Sequence, residues 1–292
     1  MSAPLFLWAV RILVVALPFT LLEALLAATT GAPDPVRITI QVVFWCCWAA
    51  AVAVSLLPLP STLSALRLLV PIAPAAGLVA ALIEARPTAG WVGLALAVVA
   101  TVLAFSAMVG DWFVDGASYG DERRFALRPP VVLLLGPLPL AWVLTVGPLI
   151  SGVLLFADEN WYLGVPLVLF GIATAWWGSF AMWRLARRWL VFVPAGITLV
   201  DDMALAEPVL FTRPVIRRMG PAHVGTEATD LTVGAPGLVV ELDLAETVEL
   251  TPAAGRGQVA ESISTSAVLV VPSRPAAVLD HAQRCEVPVV RN

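Results

Sequence analysis

Apolar and polar positions along this chain fall into two regimes. Through residue 188 the apolar residues come in long unbroken runs, and a bilayer core takes about 20 such residues per helix. Six runs have that length: 5–27, 38–57, 66–83, 91–109, 131–156 and 161–183. After Arg188 the runs shorten, grow richer in β-branched residues and alternate with turn residues. They predict strands over 189–193, 197–200, 209–212, 215–219, 231–233, 238–242, 247–250 and 267–271, with turns at PAG (194–196) and APG (235–237). The tail VPSRPAAVLDHAQR (271–284) predicts a closing helix, with Ser273 as cap and Pro275 in the first turn. The pattern therefore predicts a membrane α-helical bundle of six transmembrane helices over 1–188, followed by a small β-rich barrel with a C-terminal helix over 189–292.

Arginine placement orients the spans. The connection between the fourth and fifth carries Arg123, Arg124 and Arg128, and the exit from the sixth carries Arg184, Arg187 and Arg188. The ADEN connection at 157–160 has only acids. Six spans put both arginine-rich segments on one side, so both termini are expected in the cytoplasm and the protein in the inner (plasma) membrane. Pro18, Pro71, Pro74, Pro137, Pro139, Pro148 and Pro166 fall within spans, where each removes a backbone donor and favours a kink. Arg11 is close enough to the cytoplasmic end of its span to snorkel, and Glu23 and Glu84 sit near the opposite face. No acid is expected at the bilayer centre, which argues against a pump or ion-coupled carrier.

Composition sharpens this picture. A mean hydropathy of +0.91 lies outside the range of soluble domains. A net charge of −4 with no basic stripe excludes a nucleic-acid partner. All 17 basic residues are Arg, which together with abundant Ala, Val, Leu and Pro points to a GC-rich bacterial genome. Cys46 and Cys47 lie in an apolar run and read as buried small hydrophobes, while Cys285 stands alone as a free thiol in a reducing compartment.

Only 13% of residues are charged, yet DWFVDGASYGDERRFALRPP (111–130) gathers seven of them. Asp111, Asp115, Tyr119, Asp121, Glu122, Arg123, Arg124 and Arg128 form the candidate functional loop. Trp112, Phe113, Val114, Tyr119 and Phe125 are interleaved with the charges, as in a segment lying in the membrane interface. Three roles compete: a solvated loop that sets orientation, a docking contact with the C-terminal domain, and a catalytic or metal site. In the docking role the arginines find acids locally, at Asp121 and Glu122, or across the contact, at Asp201, Asp202 and Glu207. For a metal, Asp111 and Asp115 share a face at i, i+4 if the helix reaches both, but Gly116 and Gly120 are expected to break it. Phosphatidyltransferases acting on CDP-alcohols carry metal-binding aspartates at such a helix end. Here three residues separate Asp111 from Asp115, their Ala-Arg pair is missing and Asp121 arrives too early. His223 and His281 have no ligand spacing, and no phosphate-cradling glycine loop or G-x-S-x-G elbow is present. No catalytic residue, metal or cofactor is assigned.

The segments VFVPAGITLVDD (191–202), VLFTRPVIRRMGPA (209–222) and VVPSRPAAVL (270–279) resemble the bacterial pleckstrin-homology-like (PH-like) domains that follow membrane helices. With YGDERRFALRPP (119–130), the membrane part resembles multi-pass proteins of actinobacteria. The resemblance implies a PH-like fold for the C-terminal domain and no particular activity. Residues 189–292 hold seven Arg against five Asp and seven Glu, a net −5 that an anionic leaflet repels. Arg213, Arg217 and Arg218 are the candidate interaction patch, and a protein segment is the expected partner besides the bilayer. The leading expectation is a non-enzymatic scaffold, assembly or regulatory factor in a cell-envelope process. The alternative is a carrier or membrane enzyme of lipid or envelope precursors that uses the loop from Asp111 to Arg124.

Overall fold

The computed structural model describes residues 3–83, 88–253 and 261–290, so Glu84 lies outside the described residues. The apolar runs are helices: α1 (Ala3–Ala16), α2 (Leu21–Ala28), α3 (Asp34–Leu56), α4 (Pro60–Leu69), α5 (Ile72–Ile83), α6 (Thr88–Ala104) and α7 (Ala107–Asp115). A short strand, β1 (Arg123–Ala126), follows, and then α8 (Val131–Leu135), α9 (Pro137–Ala157) and α10 (Trp161–Ala186). Five helical stretches are long and apolar enough to cross a membrane: Leu5–Ala28, Asp34–Leu56, Pro60–Ile83, Val131–Ala157 and Trp161–Ser179. The pair Gly90–Ala104 and Ala107–Asp115 makes a sixth if it counts as one span. Pro148 and Pro166 lie inside α9 and α10, whereas two other span prolines fall at breaks, where a missing donor is cheap. Pro18 lies in the 3-10 turn Leu17–Phe19 that joins α1 to α2, and Pro71 separates α4 from α5.

The fourth apolar run is not the straight helix its composition suggests, because it bends by 55° between α6 and α7. Two of the groups freed at the break find side-chain partners. The Ala104 carbonyl accepts from Arg67 Nε at 3.3 Å, and the Val109 N–H donates to Ser106 Oγ at 3.4 Å.

Contacts divide the chain into two units: Met1–Phe113 with Leu138–Met182, and Val114–Pro137 with Trp183–Asn292. The first is helical. Leu7, Val10 and Val14 of α1 pack with Ala51 of α3, Leu66 of α4, Ala100 and Ala104 of α6 and Phe113 of α7. Trp48 Nε1 donates to the Val14 carbonyl at 2.9 Å, tying α3 to α1. α9 and α10 approach closely because small residues face each other. A Cβ on Gly152 would stand 2.8 Å from the Val168 backbone N, and one on Gly171 would stand 2.9 Å from that of Leu149. Cys46, expected to be buried, is exposed on α3.

The second unit holds two four-stranded sheets. The first combines β1 with β2 (Arg188–Val193), β3 (Gly196–Asp201) and β4 (Val209–Thr212), in the order β1-β2-β3-β4 and antiparallel throughout. The second comprises β5 (Ile216–Pro221), β6 (Thr229–Asp230), β7 (Val240–Leu250) and β8 (Ile263–Val270), in the order β5-β7-β8-β6. Helix α11 (Pro275–Arg284) packs Val278, Leu279 and Ala282 into the core between Phe125, Leu190, Phe192, Met219, Leu242 and Val268. Among the described residues the sheets do not close into a barrel; single bridges at Leu127–Pro272 and Leu205–Pro252 link their ends. Gly196 is required in the β2–β3 turn, where a Cβ would run into the Phe211 carbonyl.

Local differences from expectation have local causes. The two strands expected at 238–242 and 247–250 are one, β7, whose pairing with β8 shifts register between Asp243 and Val248. The strand expected at 231–233 is displaced to β6, since Thr232–Ala235 forms a turn closed by Ala235 N–H to Thr232 O at 3.0 Å. Ser273 does not cap α11. Arg274 occupies that position, and the Ser273 N–H instead donates to the Ala126 carbonyl at 2.8 Å.

Candidate functional site

α7 ends at Asp115, and the chain reverses through Gly120, whose φ of 60° is the left-handed region that glycine adopts without strain. The Asp115 carboxylate organises this reversal. It accepts from Ser118 Oγ at 3.1 Å and from the Arg124 N–H at 3.0 Å, and it pairs with Arg123. Arg124 pairs with Glu122 at 3.0 Å, and its guanidinium lies 5.8 Å from the centre of the Trp189 ring. Tyr119 and Asp121 are exposed. The expected local pairing therefore holds for Glu122, while Arg123 turns back to Asp115. Phe113 and Val114 are buried, as is Phe125, so these side chains pack inside the protein.

The expected contact between the loop and the C-terminal domain is a strand pairing. Residues 123–126 add an edge strand to the first sheet, with Arg123 opposite Phe192 and Phe125 opposite Leu190. Arg128 continues the attachment. Its N–H donates to the Val271 carbonyl at 2.8 Å, and Nη1 donates to the Pro236 carbonyl at 3.2 Å. Gly237 beside it has a φ of 133°, a backbone conformation that L side chains rarely adopt.

One central residue was hidden in the sequence. Arg188 reads there as an orientation charge, yet its side chain is only 2% exposed. Nε and Nη2 each donate to one oxygen of Asp201 at 2.8 Å, and Nη1 donates to the Arg128 carbonyl at 2.9 Å. Asp201 also accepts from the Met203 N–H at 3.0 Å. This bidentate geometry compensates the desolvation of both charges. It fastens the first residue of β2 to the last of β3 and to the chain leaving β1. The signal available was Val-Asp-Asp at a strand end, an acid where a buried strand meets its turn.

His281 of α11 packs against Phe125 and Phe192, with ring centroids 5.6 and 4.9 Å apart. Its Nε2 lies 3.5 Å from Cys285 Sγ, and its Nδ1 lies 3.4 Å from Arg284 Nη2. Burial, then the charges of Arg284 and Arg123, push its pKa below the ordinary histidine value, against an opposing pull from Asp115.

α7 reaches both Asp111 and Asp115, four residues apart, and ends at Asp115 just before Gly116; Asp111 is 2% exposed. Among the described residues no group of three or more His, Cys, Asp or Glu is placed to hold a metal ion. Arg217 and Arg218 both face Asp243, at 3.9 and 3.0 Å, and Arg218 lies 3.9 Å from Glu241. Arg213 is exposed on the turn after β4. An apolar cavity of about 400 Å³ opens in the helical unit between Thr39 of α3, Val153 and Phe156 of α9, and Val165 and Val168 of α10. Compared with protein-family models, curated proteins and solved structures, the chain matches none.

Proposed function

We propose that this protein is a non-enzymatic scaffold, assembly or regulatory factor of a bacterial cell-envelope process. In this reading six spans hold it in the inner membrane, with both termini in the cytoplasm. The two-sheet unit is a PH-like module there and docks a protein partner. One observation carries the reading: β1 and β2 pair in one sheet although α9 and α10 separate them in the chain. Paired strands share a compartment, so the arginine-rich connection and the C-terminal module belong on one face of the membrane, as the arginine placement also requires. The charges of the connection are engaged in building that sheet. Asp115 has its oxygens occupied by three donors, which suits a fastening role better than a reactive one.

The test is site-specific photocrosslinking in cells, with the reactive residue placed at the exposed apolar positions Leu210 and Leu238 of the module. Discrete protein adducts at either position, absent when the residue is placed at the lipid-facing Leu82, support docking. Adducts to lipid alone, or none at either position, remove the reading. The carrier or enzyme alternative draws on Asp111, a buried carboxylate beside a broken helix. Asp111→Asn with full loss of cellular function and an unchanged crosslinking pattern selects that alternative.

A further inference from the structure

We infer that Arg11 holds the phosphate of an anionic phospholipid at the membrane face where α3 turns into α4. Arg11 lies inside an apolar span, Leu5–Ala28, where an ionised side chain is expensive unless something answers its charge. What answers it within the protein is the face of the Trp8 ring, 5.1 Å from Arg11 Cζ, and one backbone oxygen: Nε and Nη2 both donate to the Ser55 carbonyl, at 3.1 and 2.7 Å. Ser55 is the penultimate residue of α3 (Asp34–Leu56), so this carbonyl is one of the orphans at a helix C-terminus, and it carries only a partial negative charge. Among the described residues no carboxylate pairs with Arg11. A full positive charge therefore meets a fraction of a negative one.

Place, side and chemistry identify what supplies the remainder. The place is the membrane face, because the chain leaves α3 one residue after Ser55 and enters α4 at Pro60. That is headgroup level, which a snorkelling arginine reaches. The side faces lipid: Trp8 is exposed with its ring centre 5.1 Å from Arg11 Cζ, and Leu56 and Leu57, which follow Ser55 in the chain, are exposed as well. Such a rim accepts acyl chains and the glycerol region, not a freely diffusing ion. The chemistry is that of a planar fork. Its Nε/Nη2 edge is spent on Ser55, and the Nη1 side is left to donate to a phosphate oxygen. Arg37 is a natural comparison, being a span-end arginine that already has its acid, Asp34, at 3.7 Å.

The full-length protein, reconstituted in nanodiscs of equal parts phosphatidylglycerol and phosphatidylcholine and released for native mass spectrometry, reports which lipid stays bound. The expected result is one phosphatidylglycerol retained preferentially by the wild type and by Arg37→Gln, with the preference reduced at least tenfold in Arg11→Gln. Equal retention of both lipids by the wild type overturns the proposal whether or not the variant folds. Undiminished preference in a folded Arg11→Gln protein moves the site elsewhere and equally overturns it. Displacement of the bound phosphatidylglycerol by millimolar inorganic phosphate would identify a soluble-anion site and refute the lipid assignment.

Discussion

Arg188 joins three parts of the second unit through one guanidinium, and its value follows from what its loss would leave behind. Arg188→Met strands the Asp201 carboxylate at a position with 0% side-chain exposure. Breaking a buried pair in this way costs about 3–5 kcal/mol. We expect a matching loss in denaturant unfolding of the detergent-solubilised protein. Arg188→Met with Asp201→Asn should recover part of it, because the charge is gone and an acceptor remains for the Met203 N–H. His281 predicts a pH dependence. Its folded pKa is depressed, so below about 6.5 the unfolded chain binds a proton that the folded chain refuses. The associated stability is fully present above that value and is lost as pH falls toward the folded pKa. His281→Gln should flatten this slope relative to the wild type in unfolding midpoints measured from pH 7 down to 5.5. Neither role is visible at sequence level, since Arg188 sits in a run of arginines and His281 on a helix of mixed composition. Burial and partners come from strands distant in the chain.

Elements were legible where one physical constraint dominates. Continuous apolar runs specify membrane helices, and Val209–Thr212 is found as its composition predicts, because β-branched and aromatic residues between turn signals leave few alternatives. β1 was not legible. Arg-Arg-Phe-Ala has one buried apolar side chain, and its pairing partner begins roughly sixty residues later. The break between α6 and α7 was hidden for the opposite reason: the run is uniformly apolar, and the bend is supported by Arg67, which comes from another helix. The α9–α10 contact gives a prediction with an internal control. Gly152→Val places a side chain against the backbone of Val168, whereas a Cβ on Gly147 of the same helix meets nothing within 4 Å. Overpacking of this kind costs about 1–3 kcal/mol. Thermal unfolding in detergent should therefore show a clear loss for Gly152→Val and almost none for Gly147→Val.

At the scale of the whole molecule, the chain passes between its two units three times: near residue 113 into the β unit, near 137 back to the helices and near 182 out again. This organisation is invisible to a reading that cuts the chain where composition changes, because its first β segment is charged and lies between helices. On the proposed orientation, a cysteine introduced at Gly120 should be shielded from an impermeant thiol reagent applied outside intact cells, and one at Asn160 should be labelled. The reverse pattern would refute the orientation. The split sheet also imposes an order on biogenesis. β1 leaves the ribosome well before β2, and at about 5–20 residues per second it waits several seconds for its partner. During that wait the segment from Val131 to Ala186 must be threaded into the bilayer and returned to the starting side. If that hairpin inserts incorrectly, β1 and β2 are stranded in different compartments and the sheet never forms. On the proposed orientation, the exposed, unpaired strands would then mark the chain for degradation, and completion of the sheet would report correct insertion of the hairpin.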